Sequence, residues 1–272
     1  MSSAFFLPAE PGNRFCVYHP SVPAGAACGI VYAHPFCEEM NKARRMAALQ
    51  SRRLAAVGYA VLQIDLFGCG DSSGDFADAK WEIWKRDLQA ALGWLKSRVR
   101  GPLGLWGLRL GATLAADVAR DPAVVVEHLL LWQPVSNGEQ FLTQFLRLRL
   151  AAEMLADGAA QTGVRELRET LYRGVPLEIA GYDLHPRLAA EIDALSLADL
   201  VPTVKRVHCL EVTAAAQAKL SPASQRALEA WRLKGLDVRA AAVTGEPFWS
   251  TIEVTECAAL LAATEASLRG AA

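Results

Sequence analysis

The sequence predicts an α/β fold, in which a mostly parallel central sheet is flanked by helices and carries a helical cap insertion. Short apolar runs alternate along the chain with longer amphipathic segments, and this is the pattern of consecutive strand–helix units. The alternation stops between positions 134 and 202, where the chain is helix-rich and contains no convincing strand. The predicted organisation is therefore a core of residues 1–133 and 203–272 and a cap of residues 134–202.

The first half of the core is predicted to open with a hairpin and then to alternate strands with helices. Strands at 4–7 and 14–19 flank a turn rich in proline and glycine. A helix is predicted over 41–57, because Asn41 is a good N-cap and Gly58 can end the helix. The other elements of this half are strands at 27–33, 59–65, 102–106 and 126–132, and helices at 80–99 and 110–120.

The cap is rich in arginine, and the alternation resumes after it. The core is then completed by strands at 206–213 and 237–243 and by helices at 223–233 and 252–268. The cap arginines are Arg147, Arg149, Arg165, Arg168 and Arg173.

Composition excludes several classes of function. The 272 residues are 52% hydrophobic and 21% charged, with a net charge of −1, so there is no basic surface for nucleic acid or for an anionic membrane. The first residues do not combine a basic region with an apolar run, as a secretory signal would. No apolar run approaches the roughly 20 residues that span a bilayer. We therefore expect a cytoplasmic protein without membrane insertion.

The cysteines provide no metal site. Six cysteines are scattered without a Cys-x-x-Cys pair or a Cys/His cluster, and no phosphate-binding glycine fingerprint is present. Neither a metal nor an organic cofactor is expected. Cys37 and Cys69 differ from the other cysteines because they fall in loops beside the predicted pocket, where a reactive thiol would need a base or a helix terminus to lower its pKa.

The most informative motif is a nucleophile elbow without its nucleophile. Residues 107–111 read Gly-Leu-Arg-Leu-Gly between a predicted strand and a predicted helix. This arrangement matches Gly-x-Ser-x-Gly, whose serine sits on a tight strand-to-helix turn. Arg109 stands at the serine position, and a guanidinium has five donors and no acceptor, so it cannot attack a carbonyl carbon.

Two further loops strengthen a resemblance to the α/β-hydrolase fold. Residues 34–36 (His-Pro-Phe) resemble the segment that supplies an oxyanion-hole amide in that fold, and residues 65–74 resemble its turn after the fourth strand. More narrowly, residues 34–45, 107–111 and 132–135 look like the exosortase A system-associated hydrolase type 2 family. That resemblance implies a hydrolase or acyl-transfer enzyme, acting on an ester or thioester beside bacterial exopolysaccharide production and protein sorting.

The other two positions of the catalytic triad are also vacant. In α/β hydrolases an acidic residue follows a late strand and a histidine follows the last one. Here the loop at 214–222 has no carboxylate, and Glu211 lies within the preceding strand. Phe248 or Trp249 occupies the usual place of the histidine.

Other residues are candidates for the missing chemistry. His34 could act with a water activated by Glu38 or Glu39, while Arg109 and loop amides stabilise the oxyanion. The alternative for His34 is a hydrogen bond within its own loop, and for the glutamates it is pairing with a cation on the following helical turns. Those cations are Lys42, Arg44 and Arg45. Other candidates, with ordinary roles in turns or in the cap as their alternatives, are Asp71, Ser72, Asp183 and His185.

Arg109 has two compatible interpretations. One is an internal salt bridge with Glu38, Glu39 or Asp65, because a buried arginine needs a partner. The other is an anion site, in which the guanidinium joins the amides of Leu110 and Gly111 at a helix N-terminus. A carboxylate or phosphate could then displace the acidic partner.

Two classes of function remain open. The first is the ester or thioester hydrolase or acyl-transfer enzyme that the family resemblance implies. The second, which the vacant triad favours, is a catalytically inactive hydrolase-fold protein that binds an anionic small molecule or a partner protein beneath the cap. A third alternative is a scaffold, or a homodimer, that uses the cap helices near 142–155 as its interaction face. The predicted ligand-binding residues are Phe36, Cys37, Cys69, Leu110, Gly111 and Trp249.

Overall fold

An eight-stranded sheet forms the centre of the molecule. The computed structural model describes residues 1–22, 28–157 and 162–269. The strands are β1 (Ser3–Pro8), β2 (Asn13–His19), β3 (Cys28–Ala33), β4 (Tyr59–Ile64), β5 (Leu103–Leu108), β6 (His128–Trp132), β7 (Leu177–Ile179), β8 (Tyr182–Leu184), β9 (Arg206–Thr213) and β10 (Asp237–Thr244). The order in the sheet is β1-β2-β4-β3-β5-β6-β9-β10. The pairs β1·β2 and β2·β4 are antiparallel and the rest are parallel, which confirms the mostly parallel sheet.

Helices cover both faces of this sheet, as predicted. They are α1 (Glu38–Ala56), α2 (Trp81–Lys96), α3 (Leu110–Ala119), α4 (Gly138–Asp157), α5 (Val164–Tyr172), α6 (Pro186–Asp193), α7 (Pro222–Leu233) and α8 (Ala258–Leu268). Side chains alternate along β5, so Leu105 packs in the cluster with α2, α3 and α7, and Trp106 packs in the cluster with α1 and α8. Both faces of the central strands are therefore buried, as βα crossovers require.

Two helix starts differ from the prediction. Helix α1 begins at Glu38 rather than at Asn41, because Cys37 forms a turn with φ 50° directly before it. Helix α8 begins at Ala258 rather than at 252. The hydroxyl of Thr251 donates to the carbonyl of Glu253 at 2.7 Å, and such local bonds compete with helix formation. Position 27, the expected start of β3, lies outside the described residues.

The expectation that the cap segment contains no strand is wrong. Between β6 and β9 the chain forms α4, α5, a small antiparallel hairpin of β7 and β8, and α6. The two turn residues of the hairpin, Ala180 and Gly181, both have positive φ, as in the tight turns that suit hairpins. Arg168 of α5 pairs with Asp193 of α6 and so joins two cap helices.

A buried ion pair joins β2 to α2. Arg14 Nε lies 2.7 Å from Asp87 Oδ1, and the two side chains are at most 1% exposed. The other oxygen of Asp87 accepts the backbone N–H of Phe67 at 2.8 Å. One carboxylate thus connects a strand, a helix and the loop after β4.

Candidate active site

The elbow predicted at residues 107–111 is present in the fold. Arg109 lies between β5 and α3 with φ 56° and ψ −122°, a region that side-chain-bearing residues rarely occupy. A Cβ on Gly111 would overlap the carbonyl oxygen of His34, and one on Gly107 would lie 2.5 Å from the backbone nitrogen of Ala112. The two glycines therefore permit the turn, whatever side chain its apex carries.

A second turn of the same shape lies on the neighbouring strand. Cys37 has φ 50° and ψ −126° and precedes α1. Because β3 and β5 are adjacent and parallel, the helices that follow them begin at the same edge of the sheet. This arrangement brings Glu39, in the first turn of α1, to the apex of the elbow.

Arg109 forms a salt bridge with Glu39. Its Nε lies 3.1 Å from Glu39 Oε1, and the two side chains are 18% and 12% exposed. The guanidinium carbon also lies 5.8 Å from the ring centroid of Phe141 and 5.7 Å from that of Trp249, within cation–π range. Of the three partners predicted for Arg109, Glu39 is the one that it contacts.

Two arginines of α1, Arg44 and Arg45, pair with carboxylates outside the site. Arg44 Nη2 lies 2.9 Å from Asp65 Oδ2, so this carboxylate is not available to Arg109. Arg45 pairs with Glu256 at 2.5 Å. Of the three cations predicted to pair with Glu38 or Glu39, Arg44 and Arg45 therefore do not, whereas the charge of Lys42 acts on both glutamates and opposes the rise that burial causes in their pKa.

The two glutamates of the site are held in a poorly solvated environment. Burial raises the pKa of Glu39 to about 7, and the Arg109 charge only partly offsets that rise. Burial also raises the pKa of Glu38. Within the described residues, neither Oε2 atom has a hydrogen-bond partner. Glu39 therefore titrates near neutral pH, and its Oε2 atom is buried without a hydrogen-bond partner in the described part of the chain.

These residues line a cleft of about 260 Å³ beneath the cap. Phe36 and Trp249 line it, as predicted, together with side chains of α4 that were not predicted from the sequence. The apolar residues of α4 follow helical spacing, which was the available signal. The lining residues are Phe36, Glu38, Glu39, Arg109, Phe141, Gln144, Phe145, Leu148, Trp249 and Ser250.

The predicted residues Cys37, Cys69, Leu110 and Gly111 line a different pocket. It is smaller and apolar, and Phe36 borders both this pocket and the cleft. Burial raises the pKa of the Cys37 and Cys69 thiols, so neither is a ready nucleophile at neutral pH. The amides of Leu110 and Gly111 open α3, and the first amides of a helix have no acceptor within it.

His34 uses both ring nitrogens to hold loops together. Nδ1 lies 2.7 Å from the carbonyl of Pro35, and Nε2 accepts the N–H of Leu66 at 3.1 Å, which assigns the proton to Nδ1. Burial lowers its pKa. His34 thus has no free lone pair in this arrangement, and it positions the loop that contacts Gly111.

The other candidates from the sequence lie apart from the cleft. The N–H of Asp71 donates to the Asp65 carboxylate at 3.2 Å, and the hydroxyl of Ser72 donates to the Asp65 carbonyl at 2.5 Å. Asp183 is in β8, and the side chain of His185 caps α6. The structure therefore does not bring these residues to Arg109.

The late triad positions hold structural residues. Glu211 accepts the N–H of Ser221 at 2.6 Å and also bonds the hydroxyl of Ser224, so it supports the start of α7. Phe248 is fully buried and packs edge-on against Trp132, with ring centroids 6.2 Å apart. Arg109 therefore has neither an acid nor a histidine from these two positions beside it.

The described residues contain neither a candidate metal site nor a candidate membrane-spanning helix. No three or more His, Cys, Asp or Glu side chains are grouped so that they could hold a metal ion. No helix in the described ranges is long and apolar enough to cross a membrane.

Solved structures with similar backbones are α/β hydrolases. Est1E of Butyrivibrio proteoclasticus, solved with ferulic acid bound, matches with a TM-score of 0.69 and 13% identity, covering 98% of each chain. The α/β hydrolase GrgF of a Penicillium species matches with a TM-score of 0.65 and 15% identity, covering 99% of this chain and 98% of its own. An α/β serine hydrolase without lid from Xanthomonas campestris matches with a TM-score of 0.60 and 14% identity, covering 98% of this chain and 94% of its own.

These similarities establish the α/β-hydrolase fold that the sequence motifs predicted. No protein-family model and no curated protein matches the sequence. The narrower resemblance to the exosortase-associated family therefore stays a prediction.

Proposed function

We propose that this chain is a cytoplasmic acyl-ester or acyl-thioester hydrolase, or an acyl-transfer enzyme, whose reactive pair is Glu39 and Arg109. One observation carries the proposal: a carboxyl group with a pKa of about 7 lies 3.1 Å from a guanidinium at the nucleophile position, in a cleft with aromatic walls. A general base is most effective when its pKa is near the working pH. The family resemblance supports a role beside exopolysaccharide production.

The proposed reaction needs no protein nucleophile. The Glu39 carboxylate, which lines the cleft, takes a proton from a water molecule whose oxygen attacks the acyl carbon. The charge that develops on the carbonyl oxygen is stabilised by the amide of Leu110 and by the Nη atoms of Arg109, which form no hydrogen bond in the described part of the chain. The acyl–oxygen or acyl–sulfur bond then breaks, and the leaving group takes the proton from Glu39. The products are an acid and an alcohol or thiol; in acyl transfer, an alcohol replaces the water.

The charges of the cleft favour a neutral acyl substrate. Its lining has two carboxyl groups, Glu38 and Glu39, and one guanidinium, Arg109. Since Arg109 already neutralises Glu39, a bound anion would have to displace that carboxylate or meet it in its protonated form. A neutral ester needs neither.

The test is hydrolysis of p-nitrophenyl esters and acyl thioesters by the purified protein. We expect Glu39→Gln to lower kcat/KM by about 100-fold or more, and Arg109→Ala by about 100-fold. In the wild type kcat/KM should rise with pH through about pH 7, where Glu39 loses its proton. Glu229→Gln, on the exposed face of α7, is the matched control and should keep full activity. Equal rates in wild type and Glu39→Gln would overturn the proposal.

A second candidate is the inactive binding protein, favoured by the residues at the triad positions. In that case a carboxylate or phosphate binds Arg109 while Glu39 is protonated, so its affinity increases as the pH falls below 7. Calorimetry with octanoate and with inorganic phosphate tests this at pH 6 and pH 8. Binding that Arg109→Ala abolishes, in a protein without turnover, would favour this candidate over the enzyme.

A further inference from the structure

Phe36 separates the cleft from a second, inner pocket. Its ring packs edge-on against Phe145 of α4, with centroids 5.0 Å apart, and against Trp84 of α2, at 6.1 Å. It is 4% exposed and lines both spaces. The ring is therefore a partition between the cap side and the core side of the site.

The inner pocket suits a small apolar group. Its walls include Cys37, Cys69, Trp84 and Leu114, and it has room for about one water-sized group. Water needs two or more polar partners to occupy such a space, and an apolar cavity of this size stays dry. A methyl group fits it in both size and polarity.

The same pocket reaches the start of α3. Leu110 and Gly111 line it, whereas Arg109 lines the cleft. A carbonyl oxygen placed on the α3 amides would thus have its alkyl substituent beside the inner pocket. Phe36 limits how long that substituent can be, because its ring stands where the two spaces would join.

We propose that the inner pocket receives the end of the acyl group and that Phe36 determines its length, so that the substrates are acetyl or similarly short acyl esters or thioesters. This inference rests on the proposed function, because that function places the carbonyl at α3. Truncating Phe36 joins the pocket to the cleft and admits longer chains. Filling the pocket from its other side excludes even the acetyl methyl group.

The experiment compares acetyl, butyryl and octanoyl p-nitrophenyl esters in several variants. The wild type should prefer acetyl, because a methylene group that does not fit costs about tenfold in kcat/KM. Phe36→Ala should raise the octanoyl-to-acetyl ratio by about 100-fold, and Phe36→Leu should raise it by less. Leu114→Phe should lower the rate with the acetyl ester. Phe76→Ala is the matched control, because Phe76 packs on Phe36 and lines neither space.

A second measurement does not depend on turnover. N-ethylmaleimide labelling of Cys37 and Cys69, mapped by peptide mass, reports access to the inner pocket. Phe36→Ala should label at least about tenfold faster than wild type or Phe76→Ala, and octanoate should slow that labelling. If no variant hydrolyses any ester, the proposed reaction is wrong. The labelling still shows whether Phe36 controls access to the inner pocket. Unchanged ester profiles, or equal labelling with no effect of octanoate, would overturn the inference.

Discussion

The apex of the elbow shows how far fold and chemistry can separate at a single residue. The turn depends on Gly107 and Gly111, whose missing side chains leave room for neighbouring backbone. The apex residue needs only to tolerate positive φ. Arg109 adopts this conformation and forms a salt bridge with Glu39, so the elbow is retained without a nucleophile.

Restoring the serine should therefore not restore serine hydrolysis. We expect Arg109→Ser to show no burst of acyl-enzyme formation and no labelling by a fluorophosphonate. Phe248 is buried at the histidine position, and Glu211 is bound to Ser221 and Ser224, so neither triad partner activates the new hydroxyl. Glu39 contacts Arg109 at Nε, an atom that the shorter serine side chain does not reach. Mass spectrometry of the intact protein measures the adduct, and stoichiometric labelling would show that another base reaches position 109.

Gly111 should be far less replaceable than an ordinary helical glycine. Gly111→Ala should lower the free energy of unfolding by about 3 kcal/mol, because its Cβ would overlap the carbonyl oxygen of His34. The control is Gly93→Ala, on the exposed face of α2 with open space around it; it should raise stability by about 0.5 kcal/mol. Urea denaturation measures both changes. Equal effects would mean that the loop can move away from α3.

At the scale of elements, the sequence predicted the strands better than the starts of helices. Strand signals are periodic and local, and β9 was predicted at its observed bounds. The start of α1 was misplaced because the turn at Cys37 has no capping side chain, so no sequence signal marks it. That error mattered for the site, because the three residues that precede the predicted start include Glu38 and Glu39, and both lie in the first turn of α1.

The cap hairpin was missed for a related reason. Strands β7 and β8 have only three residues each, too few to show the alternation that identifies a strand.

The salt bridge of Arg109 was predicted as one of three pairings, since residue spacing cannot rank partners 70 residues apart. The tertiary structure determines the partner, because Arg44 already pairs with Asp65 and Glu39 lies beside Arg109.

The Arg14–Asp87 pair should stabilise the junction of β2 and α2 only as a pair. Arg14→Met or Asp87→Asn alone should cost about 3–5 kcal/mol, because each leaves its partner buried without a counterpart. The double variant should cost less than the sum of the two single variants. Urea titrations of the three variants measure the coupling.

An exposed ion pair is the control for this measurement. Lys205 Nζ lies 2.7 Å from Glu127 Oε1, but the two side chains are 72% and 33% exposed. Lys205→Met should therefore cost less than about 1 kcal/mol. Similar losses at the two sites would show that burial does not determine the value of the Arg14–Asp87 pair.

At the scale of the whole molecule, the fold followed from the sequence and the strand order did not. Alternating apolar and amphipathic segments predict a parallel sheet with helices on both faces. They do not show that β3 lies between β4 and β5, because crossovers of similar length can lead to either side of a strand. The motif at 107–111 predicted the sheet architecture that periodicity could not, since this elbow is typical of the α/β-hydrolase fold.

Buried histidines should make the whole molecule sensitive to acid. His208, in β9 and 1% exposed, has no hydrogen-bond partner for either ring nitrogen within the described residues. Burial, aided by the positive charges of His128, Arg206 and Arg239 and opposed by Asp237, lowers its pKa to about 4. The unfolded chain, with a histidine pKa of about 6.5, therefore binds this proton first as the pH falls.

Stability should consequently decrease between pH 6.5 and pH 4, and His208 should not affect its pH dependence above that range. The loss from His208 alone is about 3 kcal/mol across the range. His208→Leu and His208→Gln should both flatten the decrease, even if they differ in absolute stability at pH 7, because neither side chain titrates. Urea titrations at pH 7, 5.5 and 4.5 measure the slope. An unchanged slope in both variants would place the acid sensitivity elsewhere, first of all at His34, whose lowered pKa acts in the same direction within the loop that supports the elbow.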